Sequence, residues 1–532
     1  MGSSQFTRQF EGELRSHELP EYQMLGPFGG IQSEVASDLI GREGFQECLN
    51  MILRKGRAST RPGYTTLNAL PSTPTEPPNG IADFFRSDGT RIQVRIGEDR
   101  LFRWDGSGTG WTEITKAGGL TGGVDDLFTW TVVANQLLFC QGVDKVQVWD
   151  GSTATFADAD ANAVPAKFMM ELNKHLVVGN LVDSGVQHQR VRWTAAGDTT
   201  DWTGFNAGVN DLFNDLGPIA GMGKLYQNGY IMQQWGITQV IPTGLGLRPF
   251  DFRPLTSRAK GNIAPHSLAF YGEQIACYVG KDNIYMFNAS ESIGIGDAPL
   301  QGFRGRVGAK KRIMAELLLA NLNLVKGFIT TGIDGNDFLA YWLNIPNGST
   351  WVYNFNEESW TRFTFDRIIR TMGDFSAAEL VRILDLIGTI QDQQWTPATL
   401  QSNNPLDSFG IGFDDGTFGL FDFGTVSESN WLIRSGELTL GSRRHRKTIV
   451  KFRLGMVDNG PVTFDLKVTN EDGQSETQTV AVGTGTGRAL SKVIAFKVNG
   501  VFLTWEVSGD AGANASFVEF APIYSLAGEK RG

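Results

Sequence analysis

The chain has 532 residues, too many for one ordinary core, and its 41% hydrophobic and 20% charged content is that of folded domains rather than of a disordered chain. A net charge of −10 with a pI near 5.2 excludes the broad basic surface with which proteins grip nucleic acid. Glycine at 65 residues, beside 35 Phe and 13 Trp, favours short strands, tight turns and flat aromatic packing, an all-β reading.

In chain order, residues 1–21 are polar and lack the basic-then-apolar pattern of a secretory leader. Phe6 stands where myristoylation needs Ser or Thr, and no apolar run reaches eighteen residues. From Leu25 onward, short apolar segments (Ile31 to Ile40, Cys48 to Leu53) alternate with Gly and Pro, and Pro71 to Pro78 reads as a linker. Residues 1–80 are therefore expected to form an N-terminal arm with a few platform strands. Cys48, Cys140 and Cys277 lie far apart and contain no CxxC pair, which points to reduced thiols used as small apolar groups.

Residues 81–370 carry a repeated figure, a hairpin bracketed by aromatics. It reads Trp104-Asp105-Gly106 to Trp111, then Trp149-Asp150-Gly151 to Phe156, then Tyr353-Asn354 to Trp360, and more loosely Trp193 to Trp202. Taking Trp104, Trp149, Trp193, Trp235, Tyr285 and Tyr353 as one marker per unit gives spacings of 45, 44, 42, 50 and 68 residues. A period in the forties built of short strands predicts one four-stranded propeller blade per repeat, about six blades in all. Each hairpin is then expected to close one wedge of a toroid. The long last interval holds a predicted helix over 309–325, with Ile313, Met314, Leu317, Leu318, Ala320, Leu322 and Val325 on one face. Lys310, Lys311 and Arg312 open it against the helix dipole, a place where acidic residues are preferred.

Residues 371–435 change character: Leu384 to Ile390 is apolar, a Gln/Asn/Pro-rich passage follows, and Phe409 to Phe423 is a Gly/Phe hairpin, together a connecting or tip segment. From residue 436 the pattern is regular β, with Phe464, Leu466 and Val468 alternating with Thr463, Asp465 and Lys467, and with Leu503, Trp505 and Val507 doing likewise. This predicts a C-terminal sheet or small sandwich over 436–532, ending in a polar tail.

Several of these stretches, taken in order, resemble one family. Gly26-Pro27-Phe28-Gly29-Gly30-Ile31, Asn50 to Leu53 and Arg61-Pro62-Gly63-Tyr64 open it. Tyr230 to Ile241, Arg248-Pro249-Phe250, Gly261 to Ser267 and Gly280 to Tyr285 form its middle, with Tyr341-Trp342, Trp351 to Asn354 and Trp360-Thr361 later. The chain resembles the nozzle proteins of short-tailed phages (tail tubular protein B, or packaged-DNA stabilisation proteins). The resemblance implies a β-propeller with a platform, a hexameric ring below the head–tail adaptor, and a central channel for double-stranded DNA. It further implies a virion structural protein assembled in the host cytoplasm, with the adaptor and tail fibre or tail needle proteins as partners. It brings no catalytic motif, so no functional residue is carried over.

Chemistry is sparse in the sequence itself. There is no GxxxxGK[ST], HExxH or GxSxG, and the five histidines (His17, His175, His188, His266, His445) are scattered. Asp158-Ala159-Asp160-Ala161-Asn162 opens like a calcium loop but has Ala163 where glycine is needed and Met169 where a bidentate Glu is needed. The acidic pairs Asp125-Asp126 and Asp414-Asp415 read as turn residues. No catalytic, cofactor or metal residue is assigned, and no cofactor is expected. Two basic clusters remain as possible DNA-channel or subunit contacts: Arg443, Arg444, Arg446 and Lys447 around His445, and Arg304 and Arg306 running into Lys310, Lys311 and Arg312. Solvated loops are the competing reading. DNA that must slide is retarded by every fixed cation–phosphate pair, so contact without sequence specificity is expected. The expectation is a non-enzymatic ring subunit that retains packaged DNA and conducts it during ejection. The alternative is a carbohydrate-binding or glycan-cleaving propeller.

Overall fold

The computed structural model describes residues 20–526 apart from 27, 68–73, 106–109, 256–257, 298–307, 332–338, 347, 376–407, 441–442, 484 and 486. The chain divides into two compact units, one holding the residues up to Arg61 and from Ser429 onward, the other most of residues 62–428.

The larger unit is a β-propeller. Four-stranded antiparallel sheets succeed one another over residues 80–113, 129–158, 166–211, 219–254 and 269–294, each a simple up-and-down meander, and residues 326–363 form a like meander of four strands within a larger sheet. The last sheet takes Ile369–Phe375, Ser408–Phe413 and Phe418–Val426 from late in the chain, and its outer strand, Pro62–Thr66, from the beginning. That makes six four-stranded sheets and one four-stranded meander of a larger sheet among the described residues. The stretch read as a connecting segment contributes the strands Ser408–Phe413 and Phe418–Val426 to the last of these sheets. Unit boundaries accordingly fall at 61/62 and 428/429 rather than at 80/81 and 435/436.

First strands of successive sheets lie side by side, and that of the seventh lies against that of the first. Beside the fourth sits the short 3-10 turn Pro265–Ser267. Apolar cores form between sheets, because each strand turns alternate side chains to its two neighbours. Phe84 and Leu101 of the first sheet meet Leu137 and Trp149 of the second. Phe168 and Val191 of the third meet Met222 and Val240 of the fourth. Phe102 and Trp111 of the first close on Phe375 and Phe418 of the seventh.

Most of the aromatic markers fall where one rule would put them. Trp104, Trp149, Trp193, Tyr285 and Tyr353 all lie on the third strand of their sheets. Trp149 Nε1 donates to the Thr153 carbonyl across its hairpin, and Trp193 Nε1 to that of Asn206, so each indole fastens the turn that follows it. Trp235 breaks the series: it sits on the turn after the second strand Asn228–Gln233 and is 60% exposed. Some tight hairpins use residues that the sequence did not flag. Ala134-Asn135 and Asn173-Lys174 hold positive φ at both positions, the type I′ geometry that matches strand twist.

The helix is shorter than expected, Lys310–Leu317, with Ile313 and Leu317 buried. Leu318 and Leu319, placed on or beside the predicted apolar face, lie beyond its end and are 85% and 91% exposed. The chain then turns through Leu322–Leu324 into the sixth sheet. The stretch Leu384 to Ile390, the N-terminal segment before residue 20 and the polar tail lie outside the described residues.

The smaller unit packs two sheets face to face. One joins Ala489–Gly500, Lys447–Val457, Ser516–Leu526, Arg57–Thr60 and Met51–Arg54. The other joins Glu47–Leu49, Trp431–Arg434, Leu503–Gly509, Val462–Asn470 and Ser475–Val482. The predicted alternation holds, since Phe464, Leu466 and Val468 are buried, and Phe464 meets Phe517 of the opposite sheet. Trp505 stacks on Phe520 at 4.5 Å and meets Phe452 edge-on at 5.6 Å. Both ends of the chain supply strands, so a C-terminal domain starting at residue 436 is only part of this sandwich. Arg61 is buried, and its Nε donates to Asn50 Oδ1 at 3.1 Å while Asn50 Nδ2 donates to the Asn430 carbonyl, joining early and late segments.

Candidate functional site

The basic clusters come first. Arg443 pairs with Asp38 at 2.8 Å, and Arg446 with Asp472 at 3.1 Å and Glu471 at 3.6 Å. Lys447 is buried at the start of its strand and donates to the Val501 carbonyl; burial pushes its ammonium below the usual lysine range. Arg444 is exposed. In the propeller unit Lys310 pairs with Asp297 at 3.0 Å. Arg312 lies over the Trp351 ring at 5.5 Å and 3.8 Å from Glu316, whose Oε2 accepts from Trp351 Nε1. Lys311 is exposed on the same helix. Arg304 and Arg306 lie outside the described residues. The two clusters belong to different units, and most of their cations already face a carboxylate or a carbonyl.

The other candidate groups keep local roles. Asp126 accepts from the Gly123 N–H, and Asp415 accepts from the Thr417 N–H while pairing with Arg367, so both acidic pairs are turn formers. Asp160 accepts from the Asn162 N–H and Asp158 meets Lys116 and Gln147, in place of a metal loop. No cluster of three or more metal-ligating side chains occurs among the described residues. The three thiols are free and buried, and burial raises all of them, Cys140 to about 12.

What the propeller does build is a cavity at its axis. A chamber of about 260 Å3 is lined by Asn79, Phe128, Phe168, Met222, Phe270, Phe328 and Met372 together with Lys326 and His266. It continues into a mouth of about 450 Å3, with which it shares Leu127, Phe168, Pro265 and His266. The mouth is polar, carrying Asp125, Gln141, Lys167, Asn180, Gln234, Asn262 and Asn323.

The Pro265–Ser267 turn positions this site. Asn262 is fully buried; its Oδ1 accepts from the Ala264 N–H and its Nδ2 donates to the Ala220 carbonyl. Ser267 Oγ donates to the Ala264 carbonyl and accepts from the Val279 N–H, and the Ser267 carbonyl accepts from Tyr341 Oη. These bonds set His266 into the axis against the Phe168 ring at 5.9 Å. Burial, with the Lys326 and Lys167 charges beside it, pushes the imidazole down to about 3, so it is neutral at physiological pH. Lys326 is 7% exposed and donates to the carbonyls of Asn79 and Arg370. Burial, and secondarily the Arg370 charge, lowers its ammonium to about 7. The sequence singled out Gly261 to Ser267 as a stretch of distinctive text, but nothing in it marked Asn79 or Lys326.

A second pocket, of about 490 Å3, lies against the first sheet, lined by Glu76, Asp99, Arg100, Phe102, Trp111 and Glu113. Burial, then a hydrogen bond and charge from Asp99, raise the Glu76 carboxyl to about 7.

No family model matches the chain, and no curated protein does. Similar solved structures include the extracellular domain of the putative one component system BT4673 from B. thetaiotaomicron, with 10% identity and a TM-score of 0.39. That match covers 85% of this chain and 61% of the other, so the chain spans about three fifths of that structure's length. YCF48 bound to D1 peptide has 10% identity and a TM-score of 0.36, covering 68% of this chain and 97% of that one. BBS1N in complex with ARL6DN has 8% identity and a TM-score of 0.36, covering the same shares.

Proposed function

We propose that this chain is a structural subunit of a phage tail nozzle, a seven-bladed propeller with a sandwich platform. Copies would assemble in a ring, with a DNA channel lying between them. A single propeller's axis is no conduit, since even the major groove of duplex DNA is about 12 Å wide and Phe168, His266 and Lys326 occupy the axial chamber. The observation that carries the ring reading is a set of exposed large apolar side chains on the propeller unit. Phe205, Leu245 and Leu247 are 74%, 63% and 83% exposed, while Phe213 and Trp235 are 94% and 60% exposed. A ring needs head-to-tail interfaces made of two different patches on each subunit, and such patches are otherwise costly in water. The adaptor and the distal tail proteins would dock on the ring's two ends, and DNA would pass without sequence readout.

Negative-stain microscopy of the purified chain tests this: six-membered rings with an open centre are expected. A monodisperse monomer at tens of micromolar would end the reading. The glycan-binding alternative is favoured by one feature, the amide-rich axial mouth (Gln141, Asn180, Gln234, Asn262, Asn323) with Trp235 exposed next to Gln234. It predicts tryptophan fluorescence changes on titration with oligosaccharides that vanish in Trp235→Ala.

A further inference from the structure

The amide of Asn79 is 2% exposed, and neither its Nδ2 nor its Oδ1 has a hydrogen-bond partner. Its own backbone is fully engaged, the N–H donating to the Ile96 carbonyl and the carbonyl accepting from Lys326 Nζ at 3.0 Å. Leaving a buried donor and a buried acceptor both unpaired costs about 1–3 kcal/mol each, so such a side chain in a native fold calls for a partner. Asn79 is one of the residues that line the axial chamber. Lys326 lines the same chamber, and an ammonium has three protons, of which the Asn79 and Arg370 carbonyls take two. Most of the other lining side chains are apolar, Phe128, Phe168, Met222, Phe270, Phe328 and Met372 among them, with His266, Thr129 and Thr371 as further polar groups.

We propose that the axial chamber binds a small planar heterocycle with a ring carbonyl beside a ring N–H, the oxo-pyrimidine or oxo-purine class. Asn79 Nδ2 donates to the ring carbonyl and Asn79 Oδ1 accepts from the ring N–H, a paired contact that satisfies both orphan atoms. The second lone pair of the same carbonyl takes the spare Lys326 proton. The aromatic and sulfur-bearing side chains on the walls suit a π-face. A chamber this size with few polar groups has the character of a small-molecule site, open to solvent through the mouth that shares His266 and Phe168. The inference is independent of the ring reading and stands or fails by itself.

The test uses the full chain with two probes, uracil and 1,3-dimethyluracil, in saturation-transfer NMR and calorimetry. Uracil is expected to bind, and the dimethyl form, which has no N–H to offer, to bind about tenfold to a hundredfold more weakly. Asn79→Leu is expected to erase that preference. Phe328→Trp, which enlarges an apolar wall of the chamber, is expected to abolish uracil binding while the fold persists, so an unstable Asn79 variant leaves the question decidable. Equal binding of both probes overturns the proposed pairing. No binding of uracil at millimolar concentration, or binding untouched by Phe328→Trp, overturns the site.

Discussion

At the scale of single residues, the propeller unit spends stability on Lys326. An ammonium 7% exposed with no carboxylate partner is held by two carbonyls, and its lowering to about 7 from an ordinary 10.5 follows from burial. Between those values the unfolded chain binds a proton that the native chain does not, so native stability rises with pH across that window. The slope is at most about 1.4 kcal/mol per pH unit. Above pH 9 the buried thiols act in the opposite direction, because unfolding lets them ionise while the fold holds them protonated. Lys326→Met isolates the lysine contribution. Urea midpoints at pH 7.0 and 8.5 should rise with pH in the natural chain and stay level in the variant. A parallel rise in both would place the effect elsewhere. His266 has the complementary signature: its depressed basicity contributes stability above the usual histidine range, and this is lost as pH falls toward 3. In the smaller unit, Arg61→Met would remove the buried hydrogen bond to Asn50 Oδ1 and the one to Ser429 that joins early and late segments, at a cost of about 1.5–3 kcal/mol in chemical unfolding.

Secondary-structure elements explain both what the sequence revealed and what it hid. The seventh sheet is closed by Pro62–Thr66, with Tyr64 paired to Phe421, its ring 4.9 Å from Phe413 and its Oη donating to Asp366 at 2.7 Å. Tyr64→Ala should cost about 1–3 kcal/mol and, in hydrogen exchange, loosen the amides of 408–421 before those of 129–158. Uniform loosening would mean that the first and last segments do not form a seam. No local pattern announces a strand that pairs with a partner more than three hundred residues later, which is why this stretch read as an arm. Third-strand aromatics were legible because a hairpin needs its bracket close in sequence: Trp104 faces Trp111 and Tyr353 faces Trp360 across their strands. Trp235 looked the same in spacing but is a surface residue, since period alone does not distinguish a turn from a strand end. The partners of the basic clusters were hidden for a related reason. Arg443, Lys310 and Arg312 find Asp38, Asp297 and Glu316, and of these only Glu316 is a near neighbour in helical spacing. The axial chamber was beyond reading, because Asn79, His266 and Lys326 meet only once the sheets close into a circle.

For the molecule as a whole, the ring proposed above would use the exposed apolar groups as its joints. A Cβ placed on Gly246 would come within 2.6 Å of the Phe205 ring, so Phe205 and the Leu245–Leu247 turn form one continuous patch. Its residues sit 74%, 63% and 83% exposed, and Phe213 and Trp235 are exposed as well. A large aromatic contributes about 150–250 Å2 when fully covered, so such side chains can supply the apolar centre of an interface that buries about 800 Å2 per partner. Pairing one patch with a different one on the next copy is heterologous and generates a ring when the rotation closes. Charges placed in the Phe205 patch should therefore break every interface at once. Leu245→Glu with Leu247→Glu is expected to turn rings into monomers by mass photometry and to leave monomer stability within about 0.5 kcal/mol, as surface changes do. Trp235→Ala alone should weaken assembly without abolishing it, since an interface hot spot costs about 2 kcal/mol or more while the neighbouring contacts survive. Rings that persist in the double variant would show that the propeller's apolar groups are not the joint, and the sandwich unit, with its edge strand Ala489–Gly500 paired on one side only, would be the place to look.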